Sequence, residues 1–204
     1  MPRNETSKTR LPRAFRGPDV TWSDSRLVGA CLKGNDQAWS VLIDKYKNLI
    51  YSIPVKYGAS PADAADIFQA VCLEFFSELP RLRETAALRG WLITVTAHES
   101  LHWKQKQRRR AEHDLTEFDE EQLGTDPQLP SDVIEQLERE QMVREAVARL
   151  SARCQEMIRL LFYEHPPLPY RELAQRLGLA TGSIGFIRGR CLKHLHRALN
   201  QMGF

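Results

Sequence analysis

The feature that most constrains this chain is an abrupt change of charge in its middle. A basic run, Lys104, Lys106, Arg108, Arg109 and Arg110, gives way to Glu112, Asp114, Glu117, Asp119, Glu120, Glu121 and Asp126, closed by Pro127 and Pro130. A stretch so acidic and proline-bounded has too few apolar residues to join a core and reads as an extended linker over residues 112–130. It divides 204 residues into two small units, and a hydrophobic content of 42% is enough to give each a core.

Both units carry the helical period. After the turn-like Gly34-Asn35-Asp36, the residues Trp39, Leu42, Ile43, Tyr46, Leu49, Ile50 and Ile53 recur at spacings of three and four. Pro54 and Gly58 disturb the end of that helix, and Ser60-Pro61 is an N-cap followed by proline at the first helical position. The next helix is expected to bury Phe68, Val71, Cys72, Phe75, Phe76 and Leu79, leaving Asp66, Gln69, Ala70 and Leu73 outside. A further helix from Ala87 sets Leu88, Trp91, Leu92 and Val95 on one side and runs into the basic stretch. Beyond the linker, Val133, Leu137, Val143, Val147 and Leu150 pattern one helix, and Ser151 caps another holding Met157, Ile158, Leu160, Leu161 and Phe162. No stretch alternates as a strand does, so the expected class is all-α.

A helix-turn-helix is predicted from about Tyr170 to Leu195. Leu173, Ala174 and Leu177 form the first apolar face, Gly178 ends it in a left-handed conformation, and Leu179 packs the turn. On the second helix Ile184, Cys191 and Leu195 face inward, leaving Ser183, Phe186, Arg190, Lys193 and Arg197 as an outer stripe. Insertion into a DNA major groove needs such a polar, cationic stripe, and Arg190 is the first candidate for a base contact. Gly185 and Gly189 thin that surface. A protein-binding hairpin with solvated charges is the competing reading.

Composition adds limits. A net charge of +3 is too small to argue for nucleic acid by itself. Cys31, Cys72, Cys154 and Cys191 form no CxxC pair and read as buried, reduced thiols. Residues 1–22, with Arg3, Lys8, Arg10, Arg13 and Arg16 among prolines, read as a flexible basic tail without a signal sequence or membrane span. A cytoplasmic protein is expected.

One motif points elsewhere. His98-Glu99-Ser100-Leu101-His102 fits HExxH, in which two histidines a helical turn apart hold zinc and the glutamate activates water. Against a metalloprotease stand a face shared with Trp91 and Val95, which packing would explain, the adjoining cationic run, and third ligands (Glu117, Glu120, Glu121) confined to the linker. No metal, cofactor or catalytic residue is therefore expected.

Three runs carry a family resemblance: DAADIFQAVCL at 63–73, RGWLITVTAHESLHWKQKQRRR at 89–110, and LSARC at 150–154 followed by YRELAQRLGL at 170–179. Their order, with an acidic tether between, resembles the small two-domain sigma factors of the extracytoplasmic-function class. The resemblance implies a region 2-like domain over 23–111, the linker, and a region 4-like helix-turn-helix domain over 131–204. It implies binding of the polymerase clamp through Asp63, Asp66, Gln69 and Leu73, although Ala65 and Ala70 stand where acidic residues are common. Trp103, Lys104, Lys106, Arg108, Arg109 and Arg110 would meet the downstream promoter element, with a base pocket near Arg81 to Ala87 and altered readout at His98 and His102. Ser183, Phe186, Arg190, Lys193 and Arg197 would read the upstream element. The implied partners are core RNA polymerase, promoter DNA and a dedicated inhibitor, with no small-molecule substrate; a stand-alone helix-turn-helix regulator is the alternative.

Overall fold

The computed structural model describes residues 17–82, 87–112 and 130–204, with side chains as far as 110 in the middle stretch. The described residues form eight α-helices and no strand: α1 (Asp24–Cys31), α2 (Asp36–Lys56), α3 (Pro61–Glu78), α4 (Leu88–Glu112), α5 (Ser131–Ala148), α6 (Ala152–Phe162), α7 (Tyr170–Leu177) and α8 (Ile184–Gln201). The chain is all-α, as its periodicity predicts. Residues 1–16 of the predicted tail, 83–86 of the expected base pocket and 113–129 of the linker lie outside the described residues. No described helix is long and apolar enough to cross a membrane.

Helix starts follow side-chain chemistry. Ser23, Asn35, Ser60 and Ser151 each accept a hydrogen bond from a first-turn amide, those of Arg26, Ala38, Asp63 and Cys154. Each satisfies one donor that the helix cannot pair internally. Pro54 does not stop α2, which runs on to Lys56 before Gly58 turns the chain at φ +88°.

The first core lies among α1, α2, α3 and α4. Tyr46 and Phe75 are its largest fully buried side chains, surrounded by Leu42, Leu49, Ile50, Leu88 and Leu92. The Phe75 ring is flanked by Trp39 at 5.2 Å and Trp91 at 5.7 Å. The buried Tyr46 hydroxyl donates to Asp24 at 2.8 Å, and burial first, then the charge of Asp24, pushes its pKa far above the ordinary phenol value. The packed body begins earlier than the predicted tail allows: Trp22 packs against this core, with the Arg26 guanidinium 3.3 Å from its ring centre.

Two helix faces depart from the sequence reading. On α4 the fully buried line is Leu88, Leu92, Ile93, Thr96, Ala97 and Ser100, while Trp91 and Val95 are half-buried at its margin. Thr96 and Ser100 can lie inside because each hydroxyl donates to the carbonyl four residues back, at 2.6 Å. The core face is thereby rotated away from His98 and His102, which are exposed rather than packed. On α3, Val71, Phe75 and Leu79 are buried but Phe76 points outward, 67% exposed, its ring meeting Trp39 edge-on.

The helix α5 is shared between the two units. Leu137 belongs to the first core, with Val133 and Ile134 against it. One and two turns on, its inner face becomes polar: Gln141 donates to the Lys45 carbonyl at 2.9 Å, and Glu145 lies 3.1 Å from Arg89 and 3.7 Å from Lys45. Lys45 also pairs with Asp24 at 2.7 Å. The same helix packs on α6 and α8, so a boundary at Ser131 does not separate the packing of the two units.

The second core is small: Met157, Leu160, Leu173, Ala174 and Ile184, contributed by α6, α7 and α8. A disulfide joins Cys154 of α6 to Cys191 of α8 beside it, across 37 residues of sequence. This corrects the expectation of four reduced thiols, which holds for Cys31 and Cys72. Helix packing turns the two inner faces toward each other, which residue spacing does not reveal.

Candidate functional site

Three surfaces carry the residues singled out from sequence. The first is the outer strip of α3, which shows Asp66, Gln69 and Leu73, the last 73% exposed. Asp63 differs from these because its carboxylate is engaged within the fold. It accepts from the Ser60 hydroxyl at 2.5 Å, and Gln107 of α4 approaches at 3.5 Å. The Ser60 bond first, then the indole N–H of Trp103, hold its pKa below the usual carboxylate range, although that indole falls short of hydrogen-bond geometry. Asp63 thus ties the start of α3 to α4. Phe76 extends the strip with an apolar group that its helical spacing had assigned to the core.

The second surface is the last turns of α4, a helix of 25 residues. Lys104, Lys106, Arg108, Arg109 and Arg110 are exposed, and Trp103 is half-buried against the first core. A groove between α3 and α4 is lined by Asp63 and Asp66 on one wall and Trp103, Lys106 and Arg110 on the other. Residues assigned from sequence to a protein contact and to a DNA contact therefore face each other. The arrangement suits a partner presenting both cationic and anionic groups, or two partners that meet there.

The third surface is α8. Gly178 at φ +63° ends α7 in the left-handed region, and a single 3₁₀ turn over Thr181–Ser183 leads into α8. The second helix starts at Ile184. Phe186, Arg190, Lys193 and Arg197 are exposed along one side, with Phe186 at 75%, while Ser183 at the helix start is half-buried. Ile184 and Cys191 are buried on the opposite side. Gly185 and Gly189 border open space, so the backbone itself is accessible there. One contact was not legible: Arg188 donates to the Tyr170 hydroxyl at 2.6 Å and links α8 to the start of α7. Eighteen residues separate that pair, and no motif marks it.

Residues 42–110 match the family model described as sigma-70 region 2, spanning most of α2, all of α3 and α4 to its basic end. The chain also aligns with the RNA polymerase sigma-H factor of Pseudomonas aeruginosa, 23% identical over 185 residues, covering 88% of this chain and 95% of that protein.

Proposed function

We propose that the chain is a sigma factor of the sigma-70 family, directing promoter-specific initiation as an alternative factor of the extracytoplasmic-function type. The observation that carries the reading is the region 2 match coinciding with an exposed acidic and apolar strip on α3 beside the basic end of α4.

In this reading Asp66, Gln69 and Leu73 meet the clamp of core RNA polymerase, and Phe76 widens their apolar part. Asp63 positions α3 against α4. Lys104, Lys106, Arg108, Arg109 and Arg110 neutralise phosphates of the opening downstream element, with Trp103 at the groove they border. Phe186, Arg190, Lys193 and Arg197 enter the major groove of the upstream element, Ser183 standing at the start of that helix. The factor works in the cytoplasm, catalyses no reaction itself, and is held by a dedicated inhibitor that covers one of these faces.

Run-off transcription with core polymerase and a genomic promoter library tests the reading. Core-dependent initiation at a subset of promoters is the expected result. Duplex binding that neither needs nor recruits core enzyme would instead favour a stand-alone regulator. Within the DNA-binding face, Arg190→Ala should weaken upstream-element binding by about 1–3 kcal/mol in a titration of labelled duplex. Unchanged affinity and sequence preference would remove Arg190 from that face.

A further inference from the structure

We propose that His98, Glu99 and His102 of α4 form a binding site for a divalent transition-metal ion of the zinc class. This does not rest on the promoter reading, and either can fail without the other. Of the three grounds against a metal at the HExxH spacing, the first is that packing would account for the two histidines. The structure removes that explanation, since both rings are exposed while Thr96 and Ser100 take the buried line.

Residues one turn apart on a helix project in the same direction. The two imidazoles stand with ring centres 4.1 Å apart, and one ligand atom from each of His98, Glu99 and His102 lies within 4.8 Å of the others. Donors bound tetrahedrally at zinc distances are about 3.3 Å apart, so exposed side chains close the difference by small rotations. The third ligand that sequence sought in the linker is present on the helix itself.

Imidazole with carboxylate favours zinc, copper or nickel over magnesium and calcium, which prefer oxygen alone. Three protein donors leave the fourth position of a tetrahedral ion to a water molecule.

Calorimetric titration of the full chain with zinc chloride, paired with the electronic spectrum of the cobalt(II)-loaded chain, tests this. One ion per chain is expected, with a cobalt spectrum lacking thiolate charge-transfer bands. His98→Ala and His102→Ala should each weaken binding by at least about tenfold, judged against the cost of losing mere supporting groups. Glu99→Gln should weaken it as well. Both histidines are exposed, so the variants should keep wild-type helical circular dichroism, and His98→Gln with His102→Gln provide a second pair. Absence of zinc uptake, full affinity in the doubly substituted histidine variant, a thiolate-type cobalt spectrum, or indifference to Glu99→Gln would each overturn the site.

Discussion

The two halves of the molecule are both helical, yet they are held by different means. Around Tyr46 and Phe75, eighteen described residues form one continuous buried cluster, whereas the cluster around Met157 and Leu173 has five. The smaller unit adds a covalent link, Cys154 to Cys191, and leans on α5. A short helical unit buries little area per residue, and a cross-link or a neighbour supplies what its core lacks. The difference also matches the surfaces displayed. The first unit carries its candidate residues on the outside of long, deeply packed helices, and the second presents α8 from a thin base.

The largest effect that would break this contrast is a cavity in the first core. Phe75→Ala should destabilise the first unit by about 3–5 kcal/mol in denaturant unfolding. A loss no greater than that of a surface substitution would mean that the aromatic stack is not its centre. Next, Cys154→Ser should cost the second unit about 2–4 kcal/mol under oxidising conditions. Hydrogen exchange of α8 should rise in the same variant while α2 and α3 keep their protection, and a reductant should reproduce the effect in the unsubstituted chain. Equal loosening of both halves would show that they unfold as one. Glu145→Ala, which leaves Arg89 and Lys45 without a shared carboxylate, should cost about 2 kcal/mol. Faster exchange should then appear in α5 before either core opens. The smallest effect concerns α8: Gly189→Ala, facing open space at ordinary helical geometry, should stabilise that helix by about 0.5–1 kcal/mol in thermal unfolding.

Much of the first unit could be read in advance, because Ser23, Asn35 and Ser60 cap helices through local chemistry and the run Leu42, Tyr46, Leu49, Ile53 declares its own face. Reading failed where polarity and burial part company. Thr96 and Ser100 look like surface residues but are satisfied by their own helix, so the inner face of α4 was drawn one step round and the histidines were placed inside. Gln141 and Glu145 are likewise polar and buried, and their partners Lys45 and Arg89 lie far away in sequence. Phe76 erred in the other direction, an aromatic at core spacing that faces out. Of the candidate sites, the exposed stripe on α8 and the basic end of α4 were legible as charge on a helical period. The engagement of Asp63 with Ser60 and Gln107, and the groove it shares with Lys106, needed the packing of α3 on α4.

The double attachment of α5 has a mechanical meaning. A helix gripped on one flank by Leu137, Gln141 and Glu145 and on the other by α6 and α8 behaves as a strut. Any partner that draws the two halves apart must peel it from one side. Released from the first unit, α5 would uncover Leu137 and leave Lys45 with Asp24 as its remaining carboxylate neighbour among the described residues. Released from the second, it would bare the seam along α8. The span the chain can bridge is therefore set in steps by which grip lets go, as well as by the number of residues between Glu112 and Pro130.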